Sequence, residues 1–320
     1  MRAPDFWRRR TVTPFALLPL AAGYSLAERL RLALTRPWRA DIPVVCAGNL
    51  VAGGAGKTPL AMALASWFGG QGRAVHFLTR GYRGRERGPL RVDLARHTFR
   101  DVGDEALLLA GIAPTWVASD RRAGARAAQD AGAEIIIMDD GFQNPSLHKD
   151  LSLIAIDGGY GYGNGLVLPA GPLREPLSAG FARAHGAVII GKDREDAASR
   201  IPPGLATLQA RLTPGPEAEE LAGRPLVAFA GIGRPDKFFE SLRALGCELL
   251  DAVPFPDHHV YKPDEVMWLV EMAAASGAKP VTTLKDYVRL PEEAKPMVET
   301  LSVTLEWADE AALDNLLSTL

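Results

Sequence analysis

Three glycines, a lysine and a threonine lie close together in residues 51–58, whose sequence is Val-Ala-Gly-Gly-Ala-Gly-Lys-Thr. An apolar run at 42–47 precedes them and a helix-like pattern at 59–65 follows, as in a strand, a glycine-rich loop and a helix start. Such a loop turns backbone N–H groups toward phosphate oxygens. A chance Gly-Lys-Thr in a loop is the alternative, and Val51 replaces the first glycine of the usual pattern. The segment predicts a phosphate cradle formed by Gly53, Gly54, Ala55, Gly56, Lys57, Thr58 and Pro59.

Two adjacent carboxylates, Asp139 and Asp140, end the apolar run that starts at Glu134. A nucleotide-binding sheet places the acid that holds Mg²⁺ at the end of such a strand, directly or through water. Adjacent acids at a strand end are otherwise ordinary turn formers. Because a phosphate cradle precedes them by some eighty residues, the sequence favours a metal site that includes the Thr58 hydroxyl. Residues 141–144, Gly-Phe-Gln-Asn, then form a loop that faces substrate or nucleotide.

A second acidic pair, Asp104 and Glu105, opens a predicted helix whose next residues are apolar. Helix capping alone is the common explanation for acids at this position. Phosphoryl transfer to an alcohol, however, needs a base near the attacking hydroxyl, and an aspartate oriented by a histidine can supply one. The candidate partner is His258, in the segment Phe-Pro-Asp-His-His at 255–259. A histidine pair in a loop with a structural role is the alternative.

The pair Arg174 and Glu175 lies between Pro172 and Pro176, after a glycine-rich run at 158–165. This arginine could neutralise phosphate while the acid positions a metal. The alternative is a surface ion pair that contributes little to stability. A further arginine cluster, formed by Arg83, Arg85 and Arg87, would suit an anionic substrate, although charge runs are usually solvated faces.

The chain is long enough for two domains at 320 residues, and its pattern predicts an α/β fold of the P-loop NTPase type. Continuous apolar strands alternate with helical stretches, which indicates a doubly wound parallel sheet over residues 41–210. Turn-rich segments at 201–204 and 213–220 mark a boundary. Residues 211–320, including the strand-like run 301–305, are assigned to a second, smaller α/β domain that closes over the active site. The Gly-Ile-Gly turn at 231–233 is interpreted as a tight connection rather than a second nucleotide site.

Composition excludes several functional classes. The formal net charge is −2, with 36 basic and 38 acidic residues, so no global basic field suggests a nucleic acid partner. The two cysteines, Cys46 and Cys247, lie in apolar runs, and no Cys/His cluster has zinc spacing. This pattern is typical of buried thiols in a reducing compartment.

Residues 1–40 combine arginines with aromatic and apolar residues. An ATP-type loop needs cytoplasmic nucleotide, and the uncharged stretch 11–27 carries two prolines and is shorter than the ~20 apolar residues that span a bilayer, so a signal peptide is not predicted. Cations beside aromatic residues suit a helical segment in the lipid interface. A helix packed on the domain surface remains an equal alternative. The basic residues concerned are Arg2, Arg8, Arg9, Arg10, Arg29, Arg31, Arg36 and Arg39.

Taken in order, nine short motifs resemble those of the tetraacyldisaccharide 4′-kinase (lipid A 4′-kinase) family. They cover almost the whole chain, at residues 48–50, 53–59, 80–82, 103–105, 120–121, 139–143, 173–176, 230–233 and 255–258. The resemblance implies a lipid kinase that transfers the γ-phosphate of ATP to the 4′-hydroxyl of a tetraacylated glucosamine disaccharide 1-phosphate. It further implies Mg²⁺ as cofactor, a peripheral location at the cytoplasmic face of the bacterial inner membrane, and no nucleic acid or protein partner.

The resemblance also implies roles for individual residues. Lys57 would bind the β- and γ-phosphates, and Asp104 would act as the base with His258. Arg174 and Glu175 would take further catalytic positions. The metal set would be Thr58, Asp139, Asp140 and Glu105.

One position departs from the family pattern. Asn144 replaces the histidine that usually ends the Gly-Phe-Gln-His motif, and asparagine cannot take a proton. The rival function is a P-loop switch ATPase or GTPase acting on a protein partner. Its GTPase form is disfavoured because the guanine-reading Asn-Lys-x-Asp pattern is absent.

Overall fold

The structure is a computed structural model that describes residues 4–8, 12–318 and 320. Arg2, Arg9 and Arg10, which the sequence places in the N-terminal basic group, lie outside the described residues. The strands are β1 Val44–Gly48, β2 Val75–Thr79, β3 Leu90–Arg91, β4 Thr115–Val117, β5 Ile135–Asp139, β6 Leu151–Asp157, β7 Gly186–Ile190, β8 Ala206–Pro214, β9 Pro225–Ala230, β10 Glu248–Pro254, β11 Lys279–Thr283, β12 Glu299–Leu301 and β13 Val303–Trp307.

Helices separate most of these strands. They are α1 Val12–Ala16, α2 Leu18–Leu34, α3 Lys57–Gly70, α4 Phe99–Val102, α5 Asp104–Ala110, α6 Arg121–Asp130, α7 Leu177–Phe181, α8 Glu217–Leu221, α9 Pro235–Ala244, α10 Pro263–Ala275, α11 Leu284–Tyr287 and α12 Glu310–Leu317. Short 3₁₀ helices occur at Asp5–Trp7, Ala198–Arg200 and Lys295–Met297. The alternation of strand and helix fits the predicted α/β class.

The larger sheet has nine strands in the order β13-β8-β7-β6-β1-β5-β2-β4-β3. Its centre is parallel, since β1 pairs in parallel with both β5 and β6. Successive residues of β1 point to opposite faces, so that Val44 and Cys46 join one core while Val45 and Ala47 join the other. Helix α6 covers the first face and helices α3 and α12 cover the second. The sheet is therefore doubly wound, as the apolar strands predict.

The smaller sheet contains four parallel strands in the order β10-β9-β11-β12. Helix α9 packs on one face through Phe238, Phe239 and Leu242. Helix α10 packs on the other face through Val266 and Leu269. We refer to this sheet and its helices, residues 217–301, as the small unit, and to the rest of the described chain as the large unit.

The C-terminal end of the chain differs from the sequence assignment. The run 301–305 is not one strand of the second domain, because it divides between β12 in the small sheet and β13 in the large one. Strand β13 pairs antiparallel with β8, and α12 then packs on the large sheet through Leu313 and Leu317. The chain returns to the large unit because Leu305, Leu313 and Leu317 complete its core, a tertiary effect that local pattern does not encode.

Candidate active site

The glycine-rich loop joins β1 to α3 and has the conformation of a phosphate cradle. Gly53 and Gly56 have φ angles of 117° and 86°, which favour glycine. A Cβ on Gly56 would also lie 2.6 Å from the Cδ1 atom of Ile190. Helix α3 begins at Lys57, so its free N–H groups and positive dipole end face the loop.

The backbone conformation at Val51 explains why this position does not need the glycine of the usual pattern. It forms an antiparallel bridge with Leu173, and the N–H of the next residue, Ala52, donates to the Pro172 carbonyl at 2.7 Å. Val51 is buried, and its φ angle is not positive. The chain stays extended at this position, which suits a β-branched residue rather than glycine.

Asp139 lies at the end of β5 with its carboxylate against the start of α3. The Thr58 hydroxyl donates to Asp139 Oδ2 at 2.9 Å, while the buried Oδ1 has no hydrogen-bond partner within the described residues. Burial, assisted by the charge of Glu105, raises the pKa of Asp139 to about 7, although Lys57 acts in the opposite direction. A buried carboxylate oxygen without a donor, next to a hydroxyl, fits a divalent cation.

The described residues contain no group of three or more His, Cys, Asp or Glu side chains that could hold a metal by themselves. A cation at Thr58 and Asp139 would therefore complete its shell with water and phosphate oxygens, as Mg²⁺ usually does.

Asp140 has a left-handed φ angle of 56° and faces two cations. The Arg174 guanidinium forms two hydrogen bonds with its carboxylate, at 2.7 and 3.2 Å, and Lys57 Nζ lies 3.7 Å from Oδ2. Burial alone would raise the pKa of Asp140, but Lys57 and Arg174 outweigh it and the pKa is lowered. Asp140 thus holds the cradle lysine and Arg174 at one place.

The carboxylate of Glu175 is bonded to residues other than the acidic pair. It is buried, and its carboxylate pairs with Arg183 and accepts a hydrogen bond from Gln143 Nε2 at 3.2 Å. The same Gln143 amide donates to the Asn49 carbonyl at 2.9 Å and accepts from Arg174 at 3.2 Å. These contacts fix the loop after β5 against the glycine-rich loop. None of these contacts joins Glu175 to Thr58 or Asp139, and its assignment as a catalytic residue stays a prediction.

The histidine of the small unit meets the aspartate of the large unit. His258 Nδ1 lies 2.8 Å from Asp104 Oδ2, although the two residues are far apart in sequence. The other carboxylate oxygen of Asp104 accepts the backbone N–H of Glu105 at 2.9 Å in the first turn of α5, whose N-cap residue is Gly103. Burial alone would raise the pKa of Asp104, but the hydrogen bond with His258 and the nearby positive charges lower it. Asp104 is therefore held as a carboxylate.

The neighbouring histidine has a separate role. His259 Nε2 lies 3.0 Å from Glu265 Oε2, whose carboxylate also accepts the N–H of Lys262 at the start of α10. Only His258 of the two therefore faces Asp104, the choice that the motif at 255–258 predicts. The Tyr82 ring packs edge-on against His258 at 5.6 Å.

Glu105 contacts a cation of the small unit. Its Oε1 atom accepts a hydrogen bond from Lys285 Nζ at 2.9 Å. Burial alone would lower the pKa of Lys285, but Glu105 and Asp104 raise it, so the ammonium group stays charged. The structure pairs Glu105 with this lysine, and its assignment as a metal ligand stays a prediction.

A second link between the units lies behind the glycine-rich loop and was missed by the sequence analysis. Arg234, directly before α9, pairs with Asp157 at the end of β6 and donates to the Gly54 carbonyl at 3.1 Å. Lys237 Nζ donates to the same Asp157 carboxylate at 2.6 Å. The carboxyl end of a buried strand was the available signal for Asp157. For Arg234 no local pattern distinguishes it from a surface arginine.

The arginine cluster at 83–87 does not form one anion site. Arg83 donates to the carbonyls of Asp257 and His258 at 3.4 and 3.3 Å, and Arg85 pairs with Asp101. Arg83 therefore serves the contact between the units, and Arg85 pairs with the acid of a local helix cap.

Asn144, which replaces the motif histidine, stabilises a turn. Its Oδ1 atom accepts the N–H and the hydroxyl of Ser146 at 3.0 and 2.8 Å. This use of an asparagine side chain is common in turns. Gly231 likewise has a packing role, since a Cβ there would lie 3.0 Å from both Asp286 Oδ1 and the Pro256 carbonyl.

A glycine-rich loop between β1 and a helix, a threonine–aspartate pair at its edge and a carboxylate–histidine dyad opposite define a P-loop protein of the nucleotide-dependent kinase type. The family model described as Tetraacyldisaccharide-1-P 4'-kinase matches residues 13–320. The chain belongs to this family.

Curated relatives agree over nearly the full length. A protein named tetraacyldisaccharide 4'-kinase from Gluconacetobacter diazotrophicus is 56% identical over 319 residues, 99% of this chain and 97% of that protein. One of the same name from Paramagnetospirillum magneticum is 53% identical over 96% of this chain and 95% of its own length. A crystal structure titled as the "apo" form of LpxK from Aquifex aeolicus in complex with ATP matches with a TM-score of 0.76. It has 26% identity and covers 96% of this chain and 98% of that one.

Proposed function

We propose that this chain transfers the γ-phosphate of ATP to the 4′-hydroxyl of tetraacyldisaccharide 1-phosphate and forms the bisphosphorylated lipid. The contact between Asp104 and His258 is the observation that carries the proposal. It places a charged carboxylate, oriented by an imidazole, at the contact between the two units. A switch ATPase has no evident use for such a base, whereas phosphoryl transfer to an alcohol does.

The glycine-rich loop and the start of α3 bind the triphosphate in this mechanism. Backbone N–H groups and Lys57 surround the β- and γ-phosphates and stabilise charge on the transferring group. Lys57 and Arg174 both contact Asp140, which holds them in place as cations. Arg174 is then available to neutralise phosphate, as a guanidinium does well.

Thr58 and Asp139 would hold Mg²⁺, which when bound neutralises phosphate charge and orients the β- and γ-oxygens. The unpartnered Oδ1 atom of Asp139 supports this assignment. The raised pKa of Asp139 means that proton and cation compete for the same carboxylate.

Asp104 accepts the proton of the 4′-hydroxyl as that oxygen attacks the γ-phosphorus in line with the leaving ADP oxygen. His258 orients the carboxylate and shares its charge through the hydrogen bond to Oδ2. Because Asp104 belongs to the large unit and His258 to the small unit, the contact between the units completes the base and excludes water, which limits ATP hydrolysis.

The N-terminal helices suit contact with the membrane that carries the acceptor. Along α1 and α2 an apolar set is exposed to solvent, formed by Phe15, Leu18, Leu20, Tyr24, Leu26, Leu30 and Leu34. None of the helices in the described part of the chain combines the length and hydropathy needed to cross a bilayer. On the basis of the exposed apolar side chains, we place α2 in the lipid interface, with the protein peripheral at the cytoplasmic face of the inner membrane.

The test is a transfer assay with γ-radiolabelled ATP, Mg²⁺ and detergent-dispersed tetraacyldisaccharide 1-phosphate. We expect label in a bisphosphorylated lipid, and its loss in Lys57→Ala. Release of labelled phosphate with an unlabelled lipid would contradict the proposal and favour the switch ATPase.

A further inference from the structure

An ion pair lies buried beneath the dyad in the small unit. Arg289 is 2% exposed and Asp286 is fully buried, and their guanidinium and carboxylate groups are 2.7 Å apart. Burial of a charged pair costs desolvation free energy, and apolar residues of similar volume often stabilise a fold at least as well. A contribution to stability alone therefore does not explain why the pair is buried here. The contacts of Arg289 connect it instead to His258 and Asp104.

The Arg289 guanidinium binds two backbone carbonyls next to His258. It donates to the His259 carbonyl and to the Gly231 carbonyl, each at 3.1 Å. The same Gly231 carbonyl accepts the N–H of His258 at 2.9 Å. His258 has a left-handed φ angle of 56°, a conformation that a non-glycine residue keeps only where its surroundings hold it. Arg289 supplies part of that support.

Arg289 also reaches the other member of the dyad. Its Nε atom lies 3.5 Å from Asp104 Oδ2, the same oxygen that contacts His258 Nδ1. The Nε–H donates to the Lys285 carbonyl at 3.0 Å, and this hydrogen bond fixes the position of the guanidinium beside Asp104. One side chain thus contacts the backbone around the histidine and the carboxylate across from it.

Asp286 holds the arginine in this place. Its Oδ1 atom accepts from Gly231 N–H at 2.8 Å, from the Tyr261 hydroxyl at 2.7 Å and from Arg289. Its Oδ2 atom accepts from the Thr283 hydroxyl at 2.6 Å. The carboxylate is fully used inside the small unit and does not face substrate.

We propose that Arg289 is a positioning residue for phosphoryl transfer: it fixes the backbone at His258 and the carboxylate of Asp104 in the orientation that proton removal requires. The inference rests on the proposed function, since it assumes that the dyad acts as the base. Nothing in the sequence pattern indicates this role, because Arg289 follows α11 as one more cation in a charged segment.

The test must separate positioning from stability. Arg289→Met alone leaves Asp286 buried without its cation, which can unfold the small unit. The pair Asp286→Asn with Arg289→Met removes both charges and keeps an oxygen for Gly231 and Tyr261. A matched control is Arg224→Met, since Arg224 also forms a two-point ion pair in the small unit, with Glu299 at 3.1 and 3.2 Å.

Melting temperature, KM for ATP and kcat are measured for each variant with the detergent-dispersed acceptor. We expect the double variant to keep its melting temperature and its KM for ATP, while kcat falls about 100-fold, because small misplacement of reacting groups has this effect. Arg289→Lys should recover part of kcat. Arg224→Met should leave kcat unchanged. A double variant with kcat within threefold of the unmodified protein would overturn the inference, as would an equal loss in Arg224→Met.

If the double variant does not fold, the Arg289→Lys variant tests the positioning role. Reduced kcat at an unchanged KM for ATP supports positioning, and an unchanged kcat overturns it. Imidazole ¹⁵N–¹H spectra of histidine-labelled protein report on the dyad without any acceptor. A shift of the His258 Nδ1 signal in the Arg289 variants but not in Arg224→Met supports the inference even if the acceptor assignment fails; an unshifted signal overturns it.

Discussion

Lys285 Nζ lies 2.9 Å from Glu105 Oε1, while His258 of the same small unit contacts Asp104, the residue before Glu105. Two adjacent acids at the start of α5 are therefore each matched by a different element of the small unit. Since neither acid is paired in this way within the large unit, the geometry of the site depends on how the two units meet.

Gly56→Ala should destabilise the cradle, and Gly54→Ala should not. Gly56 has a positive φ angle and its Cβ would clash with Ile190, whereas a Cβ on Gly54 meets no atom within 4 Å. Strain at a positive φ angle costs about 1–3 kcal/mol. Denaturant unfolding without nucleotide measures the difference, so phosphate contacts do not enter. Equal free energies of unfolding for the two variants would contradict the assigned loop conformation.

Arg234→Met should raise KM for ATP about tenfold with a smaller effect on kcat. The guanidinium ties the small unit to the Gly54 carbonyl and to Asp157, and hydrogen bonds of charged groups contribute about 1.5–3 kcal/mol. We expect the lower end because Arg234 is partly exposed. The matched control is Arg243→Met, because Arg243 is an exposed arginine near the end of α9, the helix that Arg234 precedes. Unchanged KM in Arg234→Met would show that this contact does not support the cradle.

The exposed leucines of α2 should govern membrane binding. Leu26, Leu30 and Leu34 lie four residues apart on one face, and 52–81% of each is exposed. Replacing all three by Gln keeps helix propensity and removes about 1 kcal/mol or more of apolar insertion per residue. Co-sedimentation with anionic vesicles should weaken about 100-fold, while ATP affinity is retained.

The matched control for the membrane prediction is Leu94→Gln, an exposed leucine outside the N-terminal helices. Vesicle binding that is unchanged in the triple variant, or lost equally in the control, would favour the alternative that α2 is packed on the domain surface. In that case the melting temperature of the triple variant is the measurement to make, because it should fall if these leucines pack on the domain.

Much of the large unit follows from local pattern. Buried apolar runs become β1, β5 and β6 because strands covered on both faces need no polar alternation. Helix α6 begins where the Asp120 side chain accepts the N–H groups of Arg122 and Ala123, a capping role that aspartate commonly takes before a helix. The glycine-rich loop was also predictable from local sequence. Few segments other than a phosphate cradle combine these glycines, a lysine and a threonine at the end of a strand.

The long-range parts of the site were less accessible. The order of motifs identified Asp104 and His258 through resemblance, but spacing alone could not pair two residues from different units. Arg289 and Arg234 carry no local signal, because their contacts are made only after the chain folds, and Asp157 carries only the weak signal of a carboxylate at the end of a buried strand. The same holds for β13, whose sequence suits either sheet and whose partner β8 is decided by tertiary packing.

The most direct measurement is single-turnover transfer of label from ATP to tetraacyldisaccharide 1-phosphate by the unmodified chain and by Asp104→Asn. Binding of ATP is measured for both by calorimetry. We expect about 10²- to 10⁴-fold slower transfer in Asp104→Asn, the usual contribution of a positioned base, with unchanged ATP affinity. Transfer at a near-normal rate in Asp104→Asn would contradict the assignment of the dyad as the base.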